Sequence, residues 1–294
     1  MRLFKSIEYC FEYIRIVLKN IRFFLWLRIK GVHQGTIFKK HLFRARPHIG
    51  DPEKFRQAML KLAKPTRELQ VQPGGQEPEP ITKISGQPWW PEGIERPKCK
   101  HGHYMNFVAQ ILLSDVPGLG LPDNTLLSFH YCETCTMEGR MPFGWEDKEN
   151  QGYDLSILQD IDKRKSDARG FVATQYGPSY KVAFRELNEV PAYEDADINS
   201  TDLPKDYPQG KDDFDENIYP GLKHVSKSKI GGWPNWAQYP VWPCDEDGKK
   251  YEFIAQLDYM LFEKAAWAGG GYAYLFIIRE TDSKLKGELI IQTT

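Results

Sequence analysis

Cysteine and histidine residues at short spacings are the clearest sign of chemistry in this chain. Cys132 and Cys135 form a Cys-x-x-Cys pair, which is the spacing of a zinc knuckle. Cys99, His101 and His103 form a second group upstream of that pair. The chain has five cysteines, an odd number, and no signal peptide is recognisable, which favours a reducing compartment over a disulfide framework. These residues indicate either a structural zinc site or free thiols beside a surface histidine, which is the simpler interpretation.

The usual signatures of catalysis are missing from the sequence. It contains no serine nucleophile elbow, phosphate-binding loop or dinucleotide fingerprint. A nucleophilic pair of Cys99 or Cys132 with His130 is disfavoured, because neighbouring side chains of a strand point to opposite faces. A catalytic zinc is also disfavoured, since nothing nearby resembles a positioned general base. We therefore predict no catalytic residues and expect a protein that is not an enzyme.

The sequence segment that contains Cys99, His101 and His103 resembles a second segment 146 positions later. Residues 83–111 and 229–257 align without a gap and share ten identical positions. Each copy predicts a Gly-Pro turn, a tryptophan that anchors it, and a buried strand. We expect both glutamines to be structural and to bridge strand edges between the copies; a ligand-binding pair is the alternative. The paired positions predicted to form the repeated core are Gly86, Pro88, Trp90 and Gln110, and Gly232, Pro234, Trp236 and Gln256.

The remaining helix, strand and turn signals predict an α+β protein that is mainly β. Asp51-Pro52 indicates the start of a helix that runs to about Lys64, and residues 66–82 read as a Pro/Gly-rich connection. Further strands are predicted over residues 126–131, 180–184, 272–278 and 288–293. We divide the chain into a basic helical segment with its linker (1–80) and a duplicated domain (81–294). The domain has halves at about 81–190 and 226–294 and an acidic insert at 191–220.

The N-terminal segment is basic and amphipathic. Residues 1–47 carry eleven Lys and Arg against two Glu, and charges recur every three or four positions over residues 3–29. No uncharged run is long enough to span a bilayer. Three alternatives remain for this helix: packing on the rest of the protein, peripheral membrane contact through residues 1–30, or docking into a partner.

Partner contacts are predicted in the acidic insert and at two tryptophans. Residues 48–294 carry a net charge of −10, which disfavours nucleic-acid binding. The insert is expected to be a solvated connection or, alternatively, a negative surface for a basic partner. The candidate contact residues are Trp89 and Trp233 in the turns and Asp212, Asp213, Asp215 and Glu216 in the insert.

The repeated motif resembles the bacterial YwqG-like family. The similarity rests on Lys-Ile-Gly-Gly-x-Pro-x-Trp, then Pro-x-Cys, then Phe-x-Ala-Gln, followed by an aromatic-rich strand. It covers residues 82–135 and 226–294 well and the acidic middle poorly. The resemblance implies an internally duplicated, mainly β fold related to the eukaryotic programmed-cell-death-protein-2 proteins, without an established catalytic site.

The resemblance also implies a ligand set and a role. Many relatives place a Cys-Pro-x-Cys-Gly before the Phe-x-Ala-Gln strand, close to a second cysteine pair, which makes a four-thiolate site. Here Cys99 with His101 or His103 would join Cys132 and Cys135 around zinc, although the spacing departs from the family by one residue. The implied role is a cytoplasmic immunity protein that occludes the active site of a cognate polymorphic toxin in antibacterial competition. The alternatives are a chaperone for a ribosomal or other basic client, and an enzyme acting on a modified protein.

Overall fold

The computed structural model describes residues 52–75, 77–138, 152–171, 179–192, 195, 221–261, 271–281 and 284–292. Two groups of predictions lie outside these residues. One is the amphipathic helix over residues 3–29, and the other is the acidic group Asp212, Asp213, Asp215 and Glu216.

The described chain is mainly β, as predicted. Helix α1 (Pro52–Lys61) is followed by β1 (Lys64–Pro73), β2 (Lys83–Ile84), β3 (Asn106–Leu112), β4 (Leu126–Tyr131), the short helix α2 (Glu133–Met137) and β5 (Tyr153–Leu158). The second part contains β6 (Tyr180–Glu189), β7 (Lys229–Gly231), β8 (Glu252–Asp258), β9 (Tyr272–Thr281) and β10 (Lys284–Gln292). The four strands predicted after the first repeat are confirmed as β4, β6, β9 and β10, and the predicted helix begins at Pro52.

All ten described strands form one antiparallel sheet. Its order is β10-β9-β8-β7-β1-β6-β2-β3-β4-β5, so β1 and β6 lie at the centre. The outer strands β5 and β10 approach each other, because a Cβ atom at Gly287 would lie 3.1 Å from the side chain of Leu155. The sheet is therefore nearly closed.

Strand β1 corrects one prediction. We expected residues 66–82 to be a connection, but Lys64–Pro73 pairs with β6 along its whole length and with β7 through Thr66–Glu68. The strand was missed because charged and amide side chains interrupt its apolar residues. Only the middle of β1 is buried, so its composition resembles that of a loop.

The hydrophobic core covers both faces of the repeated strands. β3 and β8 bury all five residues between their ends, as their continuous apolar runs predicted. One face contributes to the main core, with Ile84, Ile111 and Ile254 among its members. On the other face, Phe107 packs with Trp90, and Phe253 lies in a separate cluster with Trp236.

The two repeated segments pair their strands in the same register. Lys83 and Ile84 lie opposite Gln110 and Ala109, while Lys229 and Ile230 lie opposite Gln256 and Ala255. An irregularity occurs in β3 between Phe107 and Ala109 and in β8 between Phe253 and Ala255.

None of the helices in the described ranges has the length and apolar character needed to cross a membrane.

Candidate metal centre

Cys99 and His103 are brought together by a tight turn after the first repeated tryptophan. The amide of Cys99 donates to the carbonyl of His103 (2.9 Å), and the amide of Gly102 donates to the carbonyl of Cys99 (2.8 Å). Gly102 has a φ of 82°, which glycine adopts without steric cost. The turn therefore holds the thiol and the imidazole on one short, hydrogen-bonded segment.

The second pair of thiols comes from the end of β4. Cys132 follows the last residue of that strand, and its amide donates to the carbonyl of Gly152 (2.5 Å). Cys135 lies in α2, and its amide donates to the Sγ of Cys132 (3.5 Å). The Cys-x-x-Cys spacing thus places both sulfur atoms on one side of the strand end.

The four candidate ligands converge in space. The ligand atoms of Cys99, His103, Cys132 and Cys135 all lie within 4.8 Å of one another. Cys135 Sγ is 3.5 Å from Cys99 Sγ and 3.6 Å from His103 Nδ1, and Cys132 Sγ is 3.9 Å from that nitrogen. Tetrahedral zinc with ordinary bond lengths separates two sulfurs by about 3.8 Å and a sulfur from a nitrogen by about 3.6 Å. The donor set therefore fits a tetrahedral metal ion.

Two histidines were predicted as alternative ligands, and the structure distinguishes their positions. His103 is half-buried and belongs to the compact group of four. His101 is exposed, although its Nδ1 lies 3.2 Å from Cys135 Sγ. His103 accordingly completes the inner set, and His101 lies at its edge.

Electrostatics oppose the simultaneous ionisation of the three thiols when no cation is bound. Burial, together with the neighbouring sulfurs of Cys132 and Cys99, raises the pKa of Cys135 to about 12. Burial also raises the pKa of Cys132. At Cys99 burial opposes ionisation, but hydrogen bonds from the amides of His101 and His103 outweigh it and lower the pKa. A bound divalent cation would offset the mutual repulsion of the thiolates.

One comparison with known proteins gives a family for this chain. The family described as a domain of unknown function, DUF1963, matches residues 82–286, which is more than half of the chain. The chain belongs to the DUF1963 family. A comparison with curated proteins found no match.

The second half of the DUF1963 domain repeats the turn without the metal ligands. Positions 146 residues after Cys99, His101 and His103 are Asp245, Asp247 and Lys249. The backbone hydrogen bonds match those of the first turn. The amide of Asp245 donates to the carbonyl of Lys249 (3.0 Å), and the amide of Gly248 donates to the carbonyl of Asp245 (3.1 Å). The nearby Cys244 is exposed. The second turn therefore forms without these candidate ligands, which occur in the first repeated segment.

The paired glutamines of the DUF1963 domain hold the turns of their own segments. The Oε1 atom of Gln110 accepts from the amide of Trp89 (2.9 Å), and that of Gln256 accepts from Asn235 (2.7 Å). Their side-chain amides donate to backbone carbonyls upstream of β2 and β7. The expectation that they bridge the two copies is wrong, because each is satisfied within its own copy.

The tryptophans predicted as partner contacts are buried. Trp89 is 4% exposed and Trp233 is 6% exposed, so most of each side chain packs inside the fold. Trp90 is also buried, while Trp236 is half-buried and stacks on Phe276. The turn residues expected in the repeated core lie beside them: Gly86 and Gly232 have φ of 79° and 74°, and Pro88 and Pro234 are buried.

Glu189 is a buried polar centre that sequence reasoning missed. Its carboxylate accepts from Lys229 Nζ (2.5 Å), from the amide of Val225 (2.8 Å) and from Thr66 Oγ1 (3.0 Å). Burial opposes its ionisation, but His224 and Lys229 outweigh that effect and hold its pKa below the ordinary value. Lys229 of the repeated Lys-Ile pair could have signalled the need for a buried anion, but nothing in the sequence identified which one.

Proposed function

We propose that this protein is a non-catalytic binding protein whose Cys/His centre holds a structural zinc ion. The observation that carries this proposal is the closed ligand set. Cys99, His103, Cys132 and Cys135 supply four donors at tetrahedral separations, so the protein fills every position around the ion. Catalytic zinc sites instead keep one position for water or substrate.

The surroundings of the centre support a structural role. Cys99, Met105, Cys132 and Cys135 form a small buried cluster of their own, apart from the main core. That cluster joins the turn after the first repeated tryptophan to the end of β4. A metal ion would supply the cross-link that four small and medium side chains cannot supply by burial alone.

The buried polar groups elsewhere also serve the fold. Gln110, Gln256 and Glu189 direct their side chains to backbone groups or to Lys229. Ser128 and His130 are hydrogen-bonded to each other at 2.8 Å, but both are fully buried, and His130 contacts the rings of Trp90 and Phe107. Burial lowers the pKa of His130 to about 3, so it remains neutral and away from solvent. These contacts favour a binding protein over an enzyme.

We further propose that the two segments are copies of one duplicated unit, as the YwqG-like resemblance implies. The support is the agreement of registers and turn contacts at one constant offset. An isolated antiparallel β-bridge pairs Lys98 with Tyr104. A second one pairs Cys244 with Lys250, which are the positions 146 residues later. Thr82 Oγ1 accepts from the amide of Leu112, and Ser228 Oγ accepts from the amide of Asp258, at the same offset.

The biological role that we propose is immunity in the cytoplasm, with the cognate toxin domain as the partner. It is supported by the family resemblance and by the acidic balance of residues 48–294, which suits a toxin with a basic cleft. The test is affinity capture of the tagged protein from its native host, followed by mass spectrometry and stoichiometry. One partner at one to one, lethal without this protein, is the expected result. Ribosomal clients would replace immunity with the chaperone role, and recovery of the chain alone would reject both.

Replacing two of the ligands tests the metal centre directly. The Cys132→Ser, Cys135→Ser double variant should lose bound zinc and unfold at a lower temperature, because two of four ligands are gone. The measurement is elemental analysis with thermal unfolding of the purified protein. Cys244→Ser is the matched control, since that thiol is exposed and outside the cluster. Native protein free of zinc, or a double variant with unchanged zinc content, would overturn the proposal.

A further inference from the structure

The second repeated turn carries a lysine ammonium on an indole face. Lys64 Nζ lies 3.5 Å from the centroid of the Trp233 ring, at van der Waals distance for a cation on an aromatic face. The Trp242 ring stands at 84° to Trp233, with their centroids 6.3 Å apart. Two indoles thus form adjacent walls at a right angle, and the ammonium lies against one of them.

A buried carboxylate completes this arrangement. Asp195 is fully buried and accepts from Trp242 Nε1 (2.8 Å) and from Trp236 Nε1 (2.9 Å). Donation to an anion increases the electron density of the Trp236 and Trp242 rings, whereas Trp233 Nε1 donates to the carbonyl of Leu62. The carboxylate also attracts the ammonium of Lys64 across the cluster. The site therefore combines aromatic faces with a fixed negative charge.

Lys64 is only partly desolvated at this site. The residue as a whole is exposed, yet partial burial of its ammonium lowers its pKa in spite of the attraction of Asp195, Glu252 and Glu189. The three carboxylates act on Lys64 by Coulombic attraction, and its ammonium lies on the ring of Trp233. The ammonium is thus held mainly by an indole face and by longer-range attraction, which is a contact that an external cation can replace.

The repeated turn does not itself require these indoles. At the positions 146 residues earlier, Gln87 stands in place of Trp233 and Arg96 in place of Trp242. That first copy makes the same turn, with Gln87 exposed and the guanidinium of Arg96 over the ring of Tyr104 at 4.0 Å. The aromatic walls are accordingly a property of the second copy and not of the shared fold.

We propose that Trp233, Trp242 and Asp195 form a binding site for the ammonium group of a lysine side chain on a protein partner. Lys64 occupies the site in the free protein, and the partner's lysine replaces it. An unmodified primary ammonium is the appropriate ligand because the resident occupant is one. The inference relies on the proposed binding role only for the class of partner, and it is independent of the metal centre.

Exchange of the occupant requires little rearrangement. Lys64 is the first residue of β1, and its exposed stem can turn outward while the strand keeps its pairing. Trp242 and Trp236 are half-buried, so the site already reaches solvent. Because Lys64 is tethered beside the site, it competes at a high effective concentration and keeps the affinity for free lysine low.

Removal of Lys64 tests the proposal. The probe is Nα-acetyl-lysine N-methylamide, titrated against full-length wild type and Lys64→Met while the indole N–H signals are followed by NMR. Methionine keeps an unbranched apolar stem and removes the charge. We expect the probe to bind Lys64→Met at least about fivefold more tightly than wild type, which corresponds to one exposed cation–π contact. Equal affinities for the two proteins, or no saturation with Lys64→Met, would overturn the proposal.

Two controls make the result specific to charge and to this site. The norleucine and Nε-acetyl-lysine analogues of the probe lack the ammonium and should not bind; comparable binding would mean a purely apolar site and would reject the inference. In a Lys64→Met, Trp242→Arg variant, which carries the residue of the first copy, the probe should again lose at least about fivefold in affinity. A pull-down without any partner would reject the binding role and leave this titration unaffected, so the two failures are distinguishable.

Discussion

At the scale of single residues, buried charge is concentrated on Glu189. This carboxylate joins the end of β6 to the start of β7 and to β1, through Lys229, Val225 and Thr66. Both side chains of the Glu189–Lys229 pair are fully buried. Loss of one partner from such a pair leaves an uncompensated charge, which costs more than the pair itself contributes.

Glu189→Gln should therefore lower the free energy of unfolding by about 3 kcal/mol or more. Glutamine keeps the size of the side chain but cannot balance the ammonium of Lys229. The measurement is the urea denaturation midpoint at neutral pH. Glu186→Gln is the control on the same strand, because its ion pair with Arg67 is 72% exposed on the glutamate side and should contribute less than about 1 kcal/mol. Similar losses in both variants would contradict this account.

Asp195 should give the protein a measurable pH dependence. Burial raises the pKa of Asp195 from 3.8 to about 6, in spite of the indole donors of Trp236 and Trp242. Between these two pH values the folded protein holds a proton that the unfolded chain releases. Stability contributed by this group is therefore lost as the pH rises from about 4 to 6.

Asp195→Asn removes that titration and keeps an acceptor for the indoles. Relative to wild type, the variant should gain stability as the pH rises through this window, by up to about 3 kcal/mol. Denaturation series at several pH values from 4 to 7 measure the difference between the two proteins, so other titrating groups cancel. A constant difference across the series would contradict the raised pKa.

Residue chemistry was predictable where it is local in sequence. The Cys-x-x-Cys pair indicated either a metal site or free thiols, because two sulfurs on one short segment must lie close together, and the structure brings Cys99 and His103 to them as the family resemblance implied. Glu189 and Asp195 were not predictable, since their partners Lys229 and Trp242 lie 40 and 47 positions away. Asp195 even belongs to the insert that we expected to be solvated, and it is fully buried.

At the scale of elements, the turn after β7 depends on a glycine for two reasons. Gly232 has a φ of 74°, and a Cβ atom there would overlap Thr66 Oγ1 and Glu189 Oε2. Gly232→Ala should therefore cost more than about 3 kcal/mol or prevent folding. Gly248→Ala is the matched control, because Gly248 has a φ of 79° with open space around it, and should cost about 1 to 2 kcal/mol. Denaturation curves of both variants test the difference, and equal effects would mean that the close approach is unimportant.

Elements with continuous apolar runs were predicted well, and those with mixed composition were not. β3 and β8 were predicted because both of their faces are buried, which selects an unbroken apolar sequence. β1 occupies the centre of the sheet with Arg67, Glu68 and Gln70 in its middle. These residues find partners on neighbouring strands, such as Glu186 for Arg67 and Arg185 for Glu68. Only the tertiary pairing makes this polar strand stable, so its sequence alone reads as a connection.

At the scale of the whole molecule, one sheet carries two similar turns, of which the first has the candidate metal ligands. The Cys/His cluster lies outside the main core and joins residues 97–105 to the segment after β4. The equivalent turn at 243–251 is held by the same backbone hydrogen bonds, with Asp245 and Lys249 at the positions of Cys99 and His103. A metal ion at the first turn would therefore act as a local cross-link added to a sheet whose strand pairing does not depend on it.

Removal of the proposed metal ion should destabilise the first turn and the segment after β4, and leave the rest of the sheet folded. After treatment of native protein with a zinc chelator, we expect amide hydrogen exchange to accelerate over residues 97–105 and 132–137, because their satellite cluster loses its cross-link. Strands β8 and β9 and the turn at 243–251 should keep their protection, and that turn is the control within the same molecule. Uniform acceleration across the sheet would mean that the ion supports global folding. Unchanged exchange at the first turn would mean that hydrogen bonds alone maintain it, and the closed ligand set would then lose its proposed structural role.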